Sequence, residues 1–346
     1  MLYVLPQDGP APIVRFIENA RGPLVINNYF LDSRPILAAI SDAVRRGVGV
    51  EVILEPRPYM ISRYMVQKEY REVAATGAKV VSAPSRFATG RTFDHAKYAV
   101  SANGVLIGTA NWDWSGMHKN REYIYVSHNP MLVKAMQKVA LADINGRPAN
   151  IPLGDPAALV LSPGPRNGVY DAMASLIQQP GPVGIETEEL QPDNPMMQVM
   201  EQKGSQLSII LPDKLSGRED EAVSELRHAG VHVVTLKSPY MHAKMIVGTK
   251  AGFIGSQNFS ITSINYNREV GVIMSGRENM QILDQEFSAD YSAAVNGSAA
   301  PGGHSGYHAY HSYGNTTSNG SGGGVVSHVM GNIASHFLRH KIFGNW

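Results

Sequence analysis

One polar string occurs twice in this chain at a constant separation. His95-Ala96-Lys97, Gly108, Asn111 and Asn120-Arg121-Glu122 return as His242-Ala243-Lys244, Gly255, Asn258 and Asn267-Arg268-Glu269, each pair 147 residues apart, as 242 stands to 95. The alignment needs no gap. Once two His-x-Lys sites are superposed, five further polar or glycine identities arise by chance on the order of once in a million at average residue usage. The chain is therefore expected to be a duplicated unit. A duplicated fold that keeps structural polar residues without chemistry is the competing reading, because fold alone does not guarantee function.

Around the string, hydrophobicity alternates between strand and helix. Leu24 to Asn27 is apolar, Pro35 to Arg46 carries Ile36, Leu37, Ile40 and Val44 on one helical face, and Val50 to Leu54 is apolar again. A helix over Tyr64 to Thr76 closes at Gly77, and Lys79 to Ser82 supplies a third strand. The order recurs as Val183 to Glu186, a helix near Asn194 to Gln202, Leu207 to Leu211, a helix from Glu219 to Ala229, and Val231 to Leu236. The expected fold class is α/β. Two similar βαβ-type halves, each a mixed, mostly parallel sheet flanked by helices, are related by pseudo-two-fold symmetry and followed by a low-complexity C-terminal tail.

The expected boundaries are an N-terminal half at 1–145, a linker at 146–168, a C-terminal half at 169–295, a Gly/Ser/His-rich flexible segment at 296–325 and an amphipathic tail helix at 326–346. Pro148, Pro152, Pro156, Pro163 and Pro165 mark the linker. Val326, Val329, Met330, Ile333, Phe337 and Leu338 recur at helical spacing in the tail. His304, His308 and His311 lie in the low-complexity stretch, where a solvated tail is favoured over a metal site.

The chain has no cysteine, which excludes disulfides, zinc-thiolate sites, iron–sulfur clusters and cysteine nucleophiles. Lys+Arg 30 against Asp+Glu 29 leaves a net charge of +1, so bulk charge advertises no polyanionic partner. Met1 to Pro12 does not read as a signal peptide, and no apolar run of about 18 residues occurs. A cytoplasmic address is the default, with peripheral membrane contact through 326–346 as the alternative.

Phosphodiester chemistry explains why these residue types occur twice. A nucleophile must attack phosphorus while an acid on the far side protonates the leaving oxygen, and two histidines suit those roles. Lys97, Lys244, Asn111 and Asn258 can hold the nonbridging oxygens. Residues two apart on a strand share a face, which brings His95 with Lys97, and His242 with Lys244, to one phosphate. Glu122 and Glu269 are candidates to accept a hydrogen bond from the second imidazole nitrogen. Their alternative is a surface carboxylate paired with the neighbouring arginine. No metal and no cofactor is required.

Trp112, Trp114 and Phe259 follow the asparagine turns, and Tyr240 precedes His242. These four are candidates to line a substrate mouth, with core packing as the alternative.

The repeated string resembles the signature of the phospholipase D superfamily: His-x-Lys, four residues, Asp, then Gly-Ser or Gly-Thr-x-Asn. The likeness covers nearly all of the two halves. It implies a covalent phosphohistidine intermediate, with His95 as nucleophile and His242 as acid and then base, the reverse assignment staying open. The sequence departs from the signature at its Asp, which is Ala102 in the first copy and Thr249 in the second. Active branches without that Asp resemble tyrosyl-DNA phosphodiesterases and certain restriction nucleases. The expected partner is a phosphodiester substrate, with a phospholipid favoured and nucleic acid as the alternative; a non-enzymatic scaffold is the third reading. No obligatory protein partner is expected, since both motifs lie in one chain.

Overall fold

Short β-branched runs alternate with helices that carry one apolar face, and this pattern generates the same element order twice. The computed structural model describes residues 1–149, 158–164 and 168–303. The first half runs β1 (Leu2–Leu5), α1 (Ala11–Glu18), β2 (Leu24–Asn28), α2 (Arg34–Arg45), β3 (Val50–Leu54), α3 (Arg63–Ala75), β4 (Lys79–Ser82), β5 (Lys97–Val100), β6 (Val105–Gly108), α4 (Trp114–His118), β7 (Asn120–Ser127) and α5 (Pro130–Ile144). The second runs β8 (Leu159–Ser162), α6 (Gly168–Ile177), β9 (Val183–Thr187), α7 (Met197–Lys203), β10 (Leu207–Pro212), α8 (Gly217–His228), β11 (His232–Leu236), β12 (Tyr240–Met241), β13 (Lys244–Val247), β14 (Gly252–Gly255), α9 (Ile261–Asn265), β15 (Glu269–Met274) and α10 (Arg277–Asn296).

Each half builds one mixed sheet with the same strand order, β1-β7-β6-β5-β2-β3-β4 and, read from its other edge, β8-β15-β14-β13-β9-β10-β11. The βαβαβ runs supply the parallel strands β2-β3-β4 and β9-β10-β11. The motif strands β5 and β13 join them antiparallel, against β2 and β9. The two sheets share one core: Tyr98, Val105, Tyr123 and Met136 belong to the same buried cluster as Met245, Ile254 and Val270. Burial of such apolar surface is the main stabilising term.

The repeated glycines permit close strand approach. A Cβ on Gly108 would lie 2.6 Å from the Ile124 side chain, and one on Gly255 would lie 2.7 Å from the Gly271 Cα. The repeated arginines clamp the halves together. Arg121 on β7 donates to Asp290 on α10 at 2.6 and 2.7 Å, and Arg268, next to β15, reaches Asp143 on α5 at 3.1 and 2.9 Å. All four side chains are buried, so each charge depends on its partner. Asp143 and Asp290 stand at the same separation as the motif residues.

Two expected segment boundaries change. Leu159–Ser162, inside the expected linker, is the edge strand β8, paired antiparallel with β15. It parallels β1, which pairs with β7, and the surrounding prolines are compatible with an edge position. The segment beginning at 296 is not flexible throughout. Ala300 is buried and its N–H donates to the Ser238 carbonyl at 2.8 Å, while the Pro301 carbonyl accepts from Arg121 at 2.8 Å. The tail helix expected at 326–346 and the histidines from 304 onward lie outside the described residues. No described helix is long and apolar enough to cross a membrane.

Candidate active site

Each histidine sits just before its motif strand and is held there by the other half. Asp94 bridges to Arg268, and the His95 N–H donates to the Arg268 carbonyl at 2.9 Å. In the mirrored arrangement β12 pairs in parallel with β7, placing Met241 opposite Arg121. This crossing delivers the Asn-Arg-Glu glutamate of one half to the histidine of the other. His95 Nδ1 lies 3.0 Å from Glu269, and His242 Nδ1 lies 2.6 Å from Glu122. Neither glutamate is a surface carboxylate: both side chains are fully buried, and the neighbouring arginines pair with Asp290 and Asp143 instead.

The glutamates are themselves fixed. Glu122 accepts from Thr109 Oγ1 and from Asn120 at 3.4 Å, and Glu269 accepts from Ser263 at 2.7 Å and Asn267 at 3.2 Å. Thr109 stands at the first Gly-Thr of the repeat and Ser256 at the second Gly-Ser. Burial works to raise Glu269, but His95, Lys97 and its hydrogen bonds outweigh burial and hold the carboxyl below its ordinary value. Burial lowers His95 below its ordinary value, with Glu269 opposing it.

Both lysines are buried. The Lys97 ammonium donates to the His95 carbonyl at 2.7 Å and lies 5.2 Å from the Tyr29 ring centroid. Burial drives its pKa down to about 7. Lys244 donates to the His242 carbonyl at 2.6 Å and to Glu188 at 2.8 Å. Asn111 and Asn258 follow β6 and β14, and the Oδ1 atom of each is buried without a hydrogen-bond partner among the described residues. The two lysines, each bonded to the carbonyl of its own motif histidine, are donors of the kind that nonbridging phosphate oxygens require.

The aromatic candidates divide. Trp112 and Phe259 are corrections: they are 0% and 1% exposed, packed into the separate cores beneath each half, and line no substrate mouth. Both positions begin the turn into α4 or α9 and point inward, so burying an aromatic there anchors the turn. Trp114 is exposed, with Lys119 Nζ 4.7 Å from its ring centroid. Tyr240 lies 6.5 Å from the His242 ring. Ala102 and Thr249 are exposed in the turns that end β5 and β13, at the opposite strand end from each histidine. A missing Asp there removes nothing from the pocket.

Two pocket residues escaped sequence reading. Tyr29 follows β2 and sets its ring edge-on to His95, 4.7 Å between centroids. Glu188 follows β9 and approaches His242 Nε2 to 3.2 Å. Burial works to raise Glu188, but His242 and Lys244 overcome it and hold its pKa at about 2. The only sequence signal for either residue is its place one position beyond an apolar strand.

The sequence matches the family described as cardiolipin synthase, PLD-like domain, over residues 13–143 and 191–291. No curated protein matches it. Its fold is similar to phosphatidylserine synthase from Haemophilus influenzae, with a TM-score of 0.63 and 12% identity over 85% of this chain and 86% of that one. It is also similar to polyphosphate kinase from Porphyromonas gingivalis, with a TM-score of 0.62 and 15% identity over 84% of this chain and 50% of that one. The chain thus spans about half the length of that kinase. Nuc from Salmonella typhimurium, a phospholipase D family member, matches 42% of this chain with 93% of its own at 20% identity and a TM-score of 0.38. With the family match extending over more than half of its length and two crossed His-x-Lys motifs in one pocket, the chain belongs to the phospholipase D superfamily, whose chemistry is that of phosphodiesters.

Proposed function

We propose that this protein is a phospholipase D-type phosphodiesterase that hydrolyses a phospholipid headgroup ester or transfers the phosphatidyl group to an alcohol. The observation that carries this reading is the pair of histidines, each backed at Nδ1 by a buried glutamate from the opposite half. A carboxylate at Nδ1 fixes the tautomer that presents Nε2 to the substrate.

In this mechanism one histidine Nε2 attacks phosphorus, forming a P–N bond as the P–O bond to the leaving group breaks. The other histidine gives its Nε2 proton to the departing oxygen. Water or an alcohol then attacks phosphorus, returns a proton to that second histidine and breaks the P–N bond. Lys97, Lys244, Asn111 and Asn258 hold the nonbridging oxygens throughout. A lipid substrate is supported by the segment from the loop after β3 into the start of α3, where Tyr59, Met60 and Tyr64 are exposed, as are Arg57 and Arg63. The Tyr59 N–H donates to the Tyr29 hydroxyl, which joins this apolar and basic loop to the residue packed on His95. Such a mixture suits an anionic membrane interface.

The test is hydrolysis of bis-p-nitrophenyl phosphate in EDTA by wild type, His95→Ala and His242→Ala, followed by phosphatidylglycerol vesicles and plasmid DNA as substrates. Metal-independent turnover of the aryl diester that requires His95, and vesicle turnover that requires both histidines, are expected. Cleavage of DNA with steep salt dependence and no vesicle turnover would replace the lipid reading with a nuclease.

A further inference from the structure

The two histidines are not surrounded alike. Asn28 on β2 pairs with Lys97, and Thr187 on β9 pairs with Lys244, so the residues that follow, Tyr29 and Glu188, occupy equivalent places. Tyr29 offers His95 an aromatic edge. Glu188 offers His242 a carboxylate oxygen 3.2 Å from Nε2, and the same oxygen lies 2.8 Å from Lys244 Nζ.

His242 therefore has a carboxylate at each ring nitrogen, Glu122 at Nδ1 and Glu188 at Nε2. An imidazole donates from both nitrogens only as the imidazolium cation. The carboxylate contact of His95 is at Nδ1, through Glu269. We propose that Glu188 is a positioning residue that divides the labour of the pair: it holds His242 doubly protonated as the acid and leaves His95 with a free lone pair as the nucleophile.

This inference rests on the phosphodiesterase reading. When His95 Nε2 bonds to phosphorus, the proton that Glu188 has held on His242 Nε2 passes to the leaving oxygen. In the second step the attacking water returns a proton to His242 Nε2, the P–N bond breaks, and the His242–Glu188 pair is restored. The Glu188 side chain is 27% exposed, which leaves it room to yield its place at Nε2 to the leaving group. The other charges facing His242 are Glu122 from β7, Asp113 from the start of α4 and Lys244 on its own strand. Lys97 and His95 complete the pocket, both sensing this cluster. Among these carboxylates, Glu188 is the one at Nε2.

The experiment compares full-length wild type, Glu188→Gln and Glu188→Asp. Nitrogen-15 histidine NMR reads the protonation of His242 without needing turnover. In Glu188→Gln the Nε2 proton is expected to be lost at lower pH than in wild type, and Glu188→Asp is expected to recover most of the difference. In kinetics, the alkaline limb of the Glu188→Gln rate profile moves toward acid. The loss is expected to be tenfold or more with an alkyl leaving group and small with p-nitrophenolate, which departs without a proton; general acids contribute about 10²–10⁴-fold. Superposable NMR titrations of wild type and Glu188→Gln would overturn the proposal. So would equal losses on both leaving groups, or tighter inorganic phosphate binding with an unmoved limb, which marks Glu188 as a mere occupant of the phosphate seat. A wild type inactive on every diester sinks the phosphodiesterase reading alone, and the NMR comparison still decides the role of Glu188.

Discussion

The surroundings of His95 and His242 match on one side of the ring and differ on the other. At Nδ1 both have a buried glutamate from the opposite half, fixed by hydroxyl and amide donors. Beyond that, His95 packs T-shaped against the Tyr29 ring, whereas His242 meets the charge of Glu188 at Nε2. The duplicated part of the pocket thus prepares two interchangeable imidazoles, and the part that has diverged assigns them different work.

Three pairs of substitutions bear on that comparison, the largest effect first. With a substrate that pairs one alkyl and one p-nitrophenyl ester, His95→Ala is expected to abolish release of either alcohol. His242→Ala should cost about 10²–10⁴-fold on the alkyl ester and far less on the aryl ester. Equal losses in the two variants, measured by initial rates, would erase the functional asymmetry.

Next, Arg121→Ala and Arg268→Ala each leave a buried aspartate without its cationic partner, and each should destabilise the chain by about 3–5 kcal/mol in urea unfolding. Arg121 also pairs with Glu286 and bonds Leu5, Gln7 and Pro301, whereas Arg268 adds only the Ser162 carbonyl among the described residues, so the loss at Arg121 is expected to be the larger. A loss confined to one variant would show that the clamps have diverged as the pocket has.

The smallest expected effect distinguishes the lysines. Burial lowers Lys97 from about 10.5 to about 7. Between those values the unfolded chain binds more protons than the folded one, so the penalty is complete below pH 7 and is relieved as pH rises toward 10. Lys97→Met should therefore raise the melting temperature at pH 6 and do so less at pH 10. Lys244→Met removes the partner of Glu188 and should lower it at both. Calorimetry at the two pH values checks the contrast. A Lys97→Met gain independent of pH would point to packing rather than charge.

Much of this site was legible because its residues are identical in both copies and lie at one spacing. His95, Lys97, Asn111, Glu122 and their counterparts needed only alignment. Which glutamate serves which histidine was not legible, because the answer depends on strands that cross between halves. Tyr29 and Glu188 were hidden for two reasons: they are unlike each other, and they stand 159 rather than 147 residues apart, because 66 residues separate Tyr29 from His95 in the first half and 54 separate Glu188 from His242 in the second. The strand β8 was concealed because it is four residues long and stands among prolines. Trp112 and Phe259 misled because an aromatic beside a polar turn carries no mark of which way it faces; here both face inward.

The exchange of glutamates between halves has a consequence for ancestry. Two identical subunits joined about a two-fold axis must present the same residue at both copies of any position. In such an assembly the place after β2 and the place after β9 would both be tyrosine or both glutamate. Carrying the two copies on a single polypeptide removes that constraint, so one imidazole can gain a second carboxylate while its twin keeps an aromatic neighbour. Placing both copies on one chain does more than raise the local concentration of a partner: it gives selection two independently variable faces of one pocket.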